Sequence, residues 1–169
     1  MEVVDPAAFC DRVSGRLVGS LTLYCGDRHI AEELAQEALA RAWERWATVG
    51  LMPSPEAWTF RTAINLANSR FRRLRIERRA LVVVASDGAS HESDEAAVLA
   101  VRSAVRALPP RQRAVVVARW FLGYSVDETA ELLSCAPGTV KSTTHHALAR
   151  LRASGLVDAD EQEDLPCRP

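Results

Sequence analysis

SVDETAELLSCAPGTVKSTTHHALARLR, residues 125–152, reads as two helices joined by a tight turn. Ser125 stands three residues ahead of Glu128, the spacing of a capping box that opens a helix. Val126, Ala130 and Leu133 then share one side of it. The turn Ser134–Gly138 contains Pro137-Gly138 and ends that helix. In the second stretch Val140, Thr144, Ala147, Leu148 and Leu151 recur at helical spacing and form an inner face. Thr139, Ser142, His145, His146 and Ala149 point outward, flanked by Lys141, Arg150 and Arg152. This is a helix-turn-helix, whose second helix enters the major groove of DNA. Small polar outer residues allow close approach, so Thr139, Ser142, His145 and His146 are placed to read base edges. The helix N-terminus and Lys141 are placed to hold phosphate. The two adjacent histidines are read as surface or base-contacting residues, because no third metal ligand lies nearby. Duplex affinity comes mostly from phosphate neutralisation, and this outer face has little charge to offer. A second source of affinity is therefore expected elsewhere in the chain.

Charge distribution points to that source. The net charge of −1 conceals an alternation. Residues 61–79 hold seven Arg and one Glu, and residues 96–152 hold seven Arg and one Lys against three acids. Between them, residues 80–95 carry four acids and no Lys or Arg, and the tail 155–169 carries five acids and one Arg. Two basic modules, separated and followed by acidic segments, suggest nucleic-acid contact at two places. Joined through residues 77–95, two weak contacts reinforce each other through effective concentration.

The rest of the chain is also helical in period, with no run of alternating apolar and polar residues, so the expected fold is all-α. Helices are expected over about 6–24, 28–46, 56–76, 95–108, 111–121, 126–133 and from the turn at Gly138 to about 153. Gly26-Asp27, the stretch 49–55, Pro109-Pro110 and Gly123-Tyr124 interrupt them. SDGASHESD at 86–94 is small, polar and acidic, the composition of a flexible linker. The architecture expected is two small helical domains joined by that linker, followed by a frayed acidic tail.

The helix at 56–76 has two dissimilar sides. Phe60, Ala63, Ile64, Ala67, Phe71 and Leu74 form a core stripe. Opposite lie Trp58, Arg61, Thr62, Asn65, Asn68, Ser69, Arg72 and Arg73, and no acid occurs between Glu56 and Glu77. Guanidinium groups neutralise phosphates, an amide can bond the edge of an unstacked base, and an indole offers a stacking platform. That combination suits single-stranded or melting DNA. The plainer alternative packs Trp58 under the preceding loop and leaves the arginines solvated. In the helix at 28–46, Glu33, Gln36, Glu37, Ala40 and Glu44 line one side and Ile30, Leu34, Ala38, Ala42 and Trp46 the other. The acidic stripe repels phosphate. It suits a basic protein surface, the alternative being an ordinary solvated face.

A hydrophobic content of 48 % with 25 % charged residues places the chain among soluble globular proteins. No apolar run reaches membrane-spanning length and no signal peptide is apparent, so no membrane insertion is expected and a cytoplasmic location follows by default. Cys10, Cys25, Cys135 and Cys167 are scattered without metal-ligand spacing. No phosphate-cradling glycine loop, Ser/His/Asp set or clustered acid pair is present, so neither enzymatic activity, a cofactor nor a metal is expected.

Taken together, the chain resembles the extracytoplasmic-function sigma factors of bacterial RNA polymerase over about residues 6–153. HIAEELAQEALARAWERW contains Glu33-Leu34-Ala35-Gln36-Glu37 and Arg41-Ala42-Trp43, similar to the family's DLVQE and RAW motifs with Glu in place of the leading Asp. The resemblance assigns Glu33, Gln36, Glu37 and Glu44 to the clamp coiled coil of the polymerase β′ subunit. Trp58, Asn65 and Arg70–Arg73 match the helix that captures flipped bases of the minus-ten element, with Ser69 where Asp is usual. LPPRQR at 108–113, GYSVDETAELL at 123–133 and GTVKS at 138–142 match the module that reads the minus-thirty-five element and touches the β flap. Ala136 stands where Ser or Thr is frequent, and Thr143, Thr144 and His146 where Arg or Leu are.

The implied division is region 2 over 1–79, a linker over 80–95, region 4 over 96–155 and an acidic tail over 156–169. The implied partners are core polymerase, promoter DNA and, commonly though not universally in the family, an anti-sigma factor. GTVKS also occurs in free-standing regulators of the LuxR type. The alternative function is therefore an autonomous dimeric helix-turn-helix regulator, which leaves the helix at 56–76 unexplained.

Overall fold

The computed structural model describes the backbone of residues 5–80 and 95–155, and the side chains of 5–74 and 98–155. Of the linker expected at 80–95, Ala80 and Glu95 are helical, and residues 81–94 lie outside the described residues, as does the acidic tail at 156–169. Every regular element among the described residues is helical. The chain divides into two compact units: residues 1–21 with 27–93, and residues 22–26 with 94–169.

The first helix, α1 (Pro6–Cys25), lies in the first unit except for its last four residues and opens where Asp5 accepts a hydrogen bond from the Ala8 amide (3.1 Å). It buries Phe9, Val13, Leu17 and Leu21, a four-residue recurrence that keeps one stripe inward. Gly26, with φ at +76°, ends the helix in a backbone conformation that costs glycine little. Asp27 then caps α2 (Arg28–Glu44) by accepting from the Ile30 amide (2.9 Å).

The buried side of α2 is Ala31, Leu34, Ala35, Ala38 and Ala42. That of α4 (Pro55–Ala80) includes Phe60, Ala63, Ile64 and Ala67. The two helices pack on each other, and the alanines on both let their backbones approach closely. Between them the chain breaks at Arg45, and Trp46–Val49 forms a short helix, α3. The expected helix through Trp46 therefore ends at Glu44. The Trp46 ring still turns inward and packs on Phe9 at a centroid distance of 4.7 Å. Ser54 accepts from the Ala57 amide (3.2 Å) just ahead of Pro55, which needs no donor at the first helical position.

The core stripe expected on α4 is shorter than its periodicity suggests. Phe71 is only partly buried and Leu74 is 37 % exposed. Glu33, near the start of α2, pairs with Arg70, so the helices run antiparallel. Residues of α4 beyond that level pass the start of α2 and lose its cover.

In the second unit, α5 (Glu95–Ala107) contributes Val105 and the residue after it contributes Leu108. They pack with Val116 of α6 (Pro110–Val116) and with Ala147 and Leu151 of α8 (Pro137–Ala153). Arg113 donates from Nη2 to the carbonyls of Arg106 and Leu108 (2.5 and 3.0 Å), satisfying orphan acceptors at the end of α5. Burial lowers the pKa of this guanidinium below its usual range.

The helix expected at 111–121 is α only to Val116. Residues Val117–Phe121 widen into a π turn, with the Leu122 amide bonding the Val117 carbonyl at 3.0 Å. Gly123, φ +77°, stops it. Ser125 then opens α7 (Val126–Leu133) with the expected capping box. Its Oγ accepts from the Glu128 amide (3.2 Å), and the Glu128 carboxylate accepts from the Ser125 amide (2.7 Å). These hydrogen bonds hold the Glu128 carboxyl below the ordinary glutamate range.

The buried face of α7 is broader than Val126, Ala130 and Leu133. Thr129 and Leu132 are fully buried, while Val126 and Leu133 are half-buried against the cluster of Val115, Ala130 and Val140. A helix that touches both the α6–π segment and α8 is covered on more than one side.

Candidate nucleic-acid interface

Three exposed helix faces carry the residues singled out in the sequence. On α4, Asn65, Asn68, Arg72 and Arg73 are exposed, and Trp58, Arg61, Thr62 and Ser69 are half-buried. The helical repeat brings all eight to the side opposite Phe60, Ala63, Ile64 and Ala67. Thr62 spends its hydroxyl proton on the Trp58 carbonyl (2.9 Å), so what it offers outward is a methyl and an acceptor oxygen. The partial burial of Trp58 holds the indole against the protein while leaving part of its surface accessible. The single acid of the first turn, Glu56, faces Arg12 and Arg16 of α1 at 3.7 and 3.5 Å.

On α2, Glu33, Gln36, Glu37, Ala40 and Glu44 are all exposed, as the wheel predicts. Glu37 receives Arg41 Nε at 2.9 Å on the same helix. Glu33 receives Arg70 Nη1 at 2.5 Å and faces His29 Nε2 at 3.4 Å. Such exposed pairs contribute at most about 1 kcal/mol each, so they shape a surface more than they hold it together.

The sequence reading named Trp43 within the RAW-like motif but left it out of the exposed stripe, at whose end it is 52 % exposed. The signal was available: position 43 lies three residues beyond Ala40 and seven beyond Gln36, on the same side of the helix. A large exposed aromatic beside acids marks an anchor for a protein partner better than acids alone. A second exposed aromatic pair, Trp120 and Phe121, projects from the π turn. The local widening of the helix determines that placement, and helical periodicity could not have given it.

On α8, Val140, Ala147 and Leu151 are buried, and Thr144 and Leu148 are half-buried. Thr139, Lys141, Ser142, His145, His146, Ala149 and Arg150 are exposed, so the outer face is the expected one; Arg152 is half-buried. The imidazoles of His145 and His146 lie edge to face with centroids 5.8 Å apart. Ala136 at the N-cap gives no side-chain hydrogen bond, and Pro137 has no N–H. The Gly138 amide is thus the first donor of α8, and among the described residues nothing beyond its chain neighbours and its own helix backbone lies within 4 Å of where a Cβ on Gly138 would sit. The start of the helix is open to an outside acceptor.

Cys10, Cys25 and Cys135 are free thiols, and Cys167 lies outside the described residues. Burial, followed by the charges of Asp11 and Asp5, pushes the Cys10 thiol pKa up, which makes it a poor nucleophile. Among the described residues no group of three His, Cys, Asp or Glu side chains could hold a metal. None of the described helices is long and apolar enough to cross a membrane.

The same two regions are recognisable in known proteins. Residues 10–76 match the family model described as Sigma-70 region 2, and residues 99–151 the one described as Sigma-70, region 4. The chain is 38 % identical over 125 residues to the RNA polymerase sigma-E factor of Streptomyces coelicolor, covering 72 % of this chain and 70 % of the relative. It is 33 % identical over 136 residues to the ECF RNA polymerase sigma factor SigL of Mycobacterium tuberculosis, covering 75 % of each. A chain of the co-crystal structure of the sigma factor RpoE with the anti-sigma factor NepR from Bartonella quintana aligns with a TM-score of 0.77 at 25 % identity, over 86 % of this chain and 93 % of that one. The region 2 match covers the helix that an autonomous LuxR-type regulator leaves unexplained, which sets that alternative aside. With both regions present in this order, the chain belongs to the RNA polymerase sigma factors, in their extracytoplasmic-function group, and directs transcription initiation.

Proposed function

We propose that the exposed stripe of α2, Glu33, Gln36, Glu37 and Glu44 together with Trp43, binds the clamp coiled coil of the polymerase β′ subunit. The outer face of α4 then takes the unpaired bases of the minus-ten element. Trp58 stacks a base, Asn65 and Asn68 bond base edges, and Arg61, Arg72 and Arg73 neutralise the backbone, with Thr62 and Ser69 completing the surface. The helix α8 enters the major groove at the minus-thirty-five element, where Thr139, Ser142, His145 and His146 read bases and Lys141 and the Gly138 amide hold phosphate.

Region 2 then spans residues 1–79 and region 4 residues 96–155, with 80–95 as linker and 156–169 as tail. The protein works in the cytoplasm, has no catalysis of its own, and touches the β flap through region 4. The similar sigma factor RpoE was crystallised with an anti-sigma factor, and a protein of that kind is a further partner of this chain.

The observation that carries this reading is the opposed chemistry of two packed helices: α2 exposes acids, and between Glu56 and Glu77 α4 presents arginine, amides and an indole with no acid in the sequence. The test is reconstitution with core polymerase and start-site mapping of the RNA made. Trp58→Ala with Asn65→Ala should cut promoter opening at least tenfold while leaving core association unchanged. Equal loss of both would remove the assigned DNA face.

A further inference from the structure

The proposed polymerase face and the proposed DNA face share one ion pair. Among the described residues, the pair joining α2 to α4 is Glu33 Oε2 to Arg70 Nη1 at 2.5 Å, with the two side chains 45 % and 40 % exposed. Glu33 belongs to the acidic stripe. Arg70 sits between Ser69 and Arg72 on α4, at the edge of the face assigned to DNA. An acid of the polymerase stripe is thus engaged by a cation that flanks the DNA face on the side toward α2, one turn from Arg73. The remaining acids of the stripe have no such link: Glu37 is met by Arg41 from its own helix.

The geometry points to an autoinhibitory pair: in the free protein Glu33 holds Arg70 away from DNA, and a basic surface arriving on α2 takes Glu33 and releases Arg70 to phosphate. The inference rests on the assignment of α2 to polymerase and α4 to DNA. Its physics is exchange of partners. A carboxylate engaged by cations of a second protein holds its old partner less tightly, and the freed guanidinium is an added charge where the phosphate backbone passes. By linkage the effect is reciprocal, so DNA drawing Arg70 away leaves Glu33 freer for polymerase. Water screens the pair, so the coupling is modest. The expected size is about two- to fivefold in affinity, which is about 0.4–1 kcal/mol at 1.4 kcal/mol per decade. His29 Nε2 stands 3.4 Å from the other Glu33 oxygen, a second partner on the same helix.

The test uses the full chain and a single-stranded DNA oligonucleotide of mixed sequence, with binding read by fluorescence anisotropy at low salt. Glu33→Gln should tighten binding about two- to fivefold. The same change made in an Arg70→Gln background should have no effect, and Glu37→Gln should do less than Glu33→Gln. With core polymerase at saturation, wild type and Glu33→Gln should bind the same oligonucleotide alike. The proposal is overturned if the gain from Glu33→Gln survives in Arg70→Gln, if Glu37→Gln matches it, or if it persists on the holoenzyme. Arg72→Gln with Arg73→Gln separates the two levels. Unchanged DNA binding in that variant refutes the α4 face itself, whereas weakened binding with no Glu33–Arg70 coupling refutes the pair alone.

Discussion

Gly138→Ala separates what α8 needs in order to fold from what it needs in order to meet DNA. Gly138 is exposed in the first turn of α8, is absent from the residues with positive φ, and has open space where a Cβ would go. Nothing inside the protein therefore requires glycine. A methyl group there removes conformational freedom from the unfolded chain and suits a helix. The expected gain in stability is a few tenths to about 1 kcal/mol, the lower part of that range being apt for a first turn.

If DNA backbone approaches the Gly138 amide, the same methyl stands between donor and phosphate. Losing one hydrogen bond to a charged acceptor costs about 1.5–3 kcal/mol, or roughly ten- to a hundredfold in affinity. Stability is read by amide hydrogen exchange along α8, and DNA binding by holoenzyme affinity for a promoter with its minus-thirty-five element intact or scrambled. The expected variant is slightly more stable and loses affinity for the intact promoter only. A variant that is more stable and binds the intact promoter normally would refute the close approach. A destabilised variant would refute the account of why the position is open.

Two other outcomes test the parts that hold and present the interface. Ser125→Ala should destabilise α7 by about 1 kcal/mol, seen as faster amide exchange at residues 126–133, because it removes the Oγ that accepts from the Glu128 amide. Since the Glu128 carboxyl sits below its ordinary range when folded, its share of the cap is complete at neutral pH and is lost as the pH falls through the folded pKa. That lowering comes first from the Ser125 amide and in part from the Ser125 side chain, which the variant lacks. The gap between wild type and Ser125→Ala should therefore narrow in acid; a gap that widens would contradict the capping account. Glu37→Lys with Glu44→Lys should weaken capture by core polymerase at least tenfold while leaving the Glu33–Arg70 pair in place, and unchanged capture would rule out the acidic stripe as the docking face.

Helix positions, the capping box and the outward faces of α2, α4 and α8 were legible in the sequence because each depends on residues within one or two turns. Ser125 and Glu128 satisfy each other locally, and a repeat of 3.6 residues sorts Asn65 from Ile64 whatever the surroundings. The family motifs added the assignment proposed for these faces, α2 to polymerase and α4 and α8 to DNA.

Where the pattern misled, a distant part of the chain decided. Trp46 faces inward as its side of the helix predicts, but it does so from a separate short helix beyond a break at Arg45, packed on Phe9 of α1. Leu74 continues a core stripe by period, yet α2 has already ended its cover there. The π turn at Val117–Phe121 re-aims Trp120 and Phe121, and Glu33 finds Arg70 across 37 residues of sequence. Periodicity tells which residues share a side of a helix, because that is set by the local backbone. Which part of that side is covered, and which charges meet across it, is set by where the neighbouring helix starts and stops, and only the packed chain contains that.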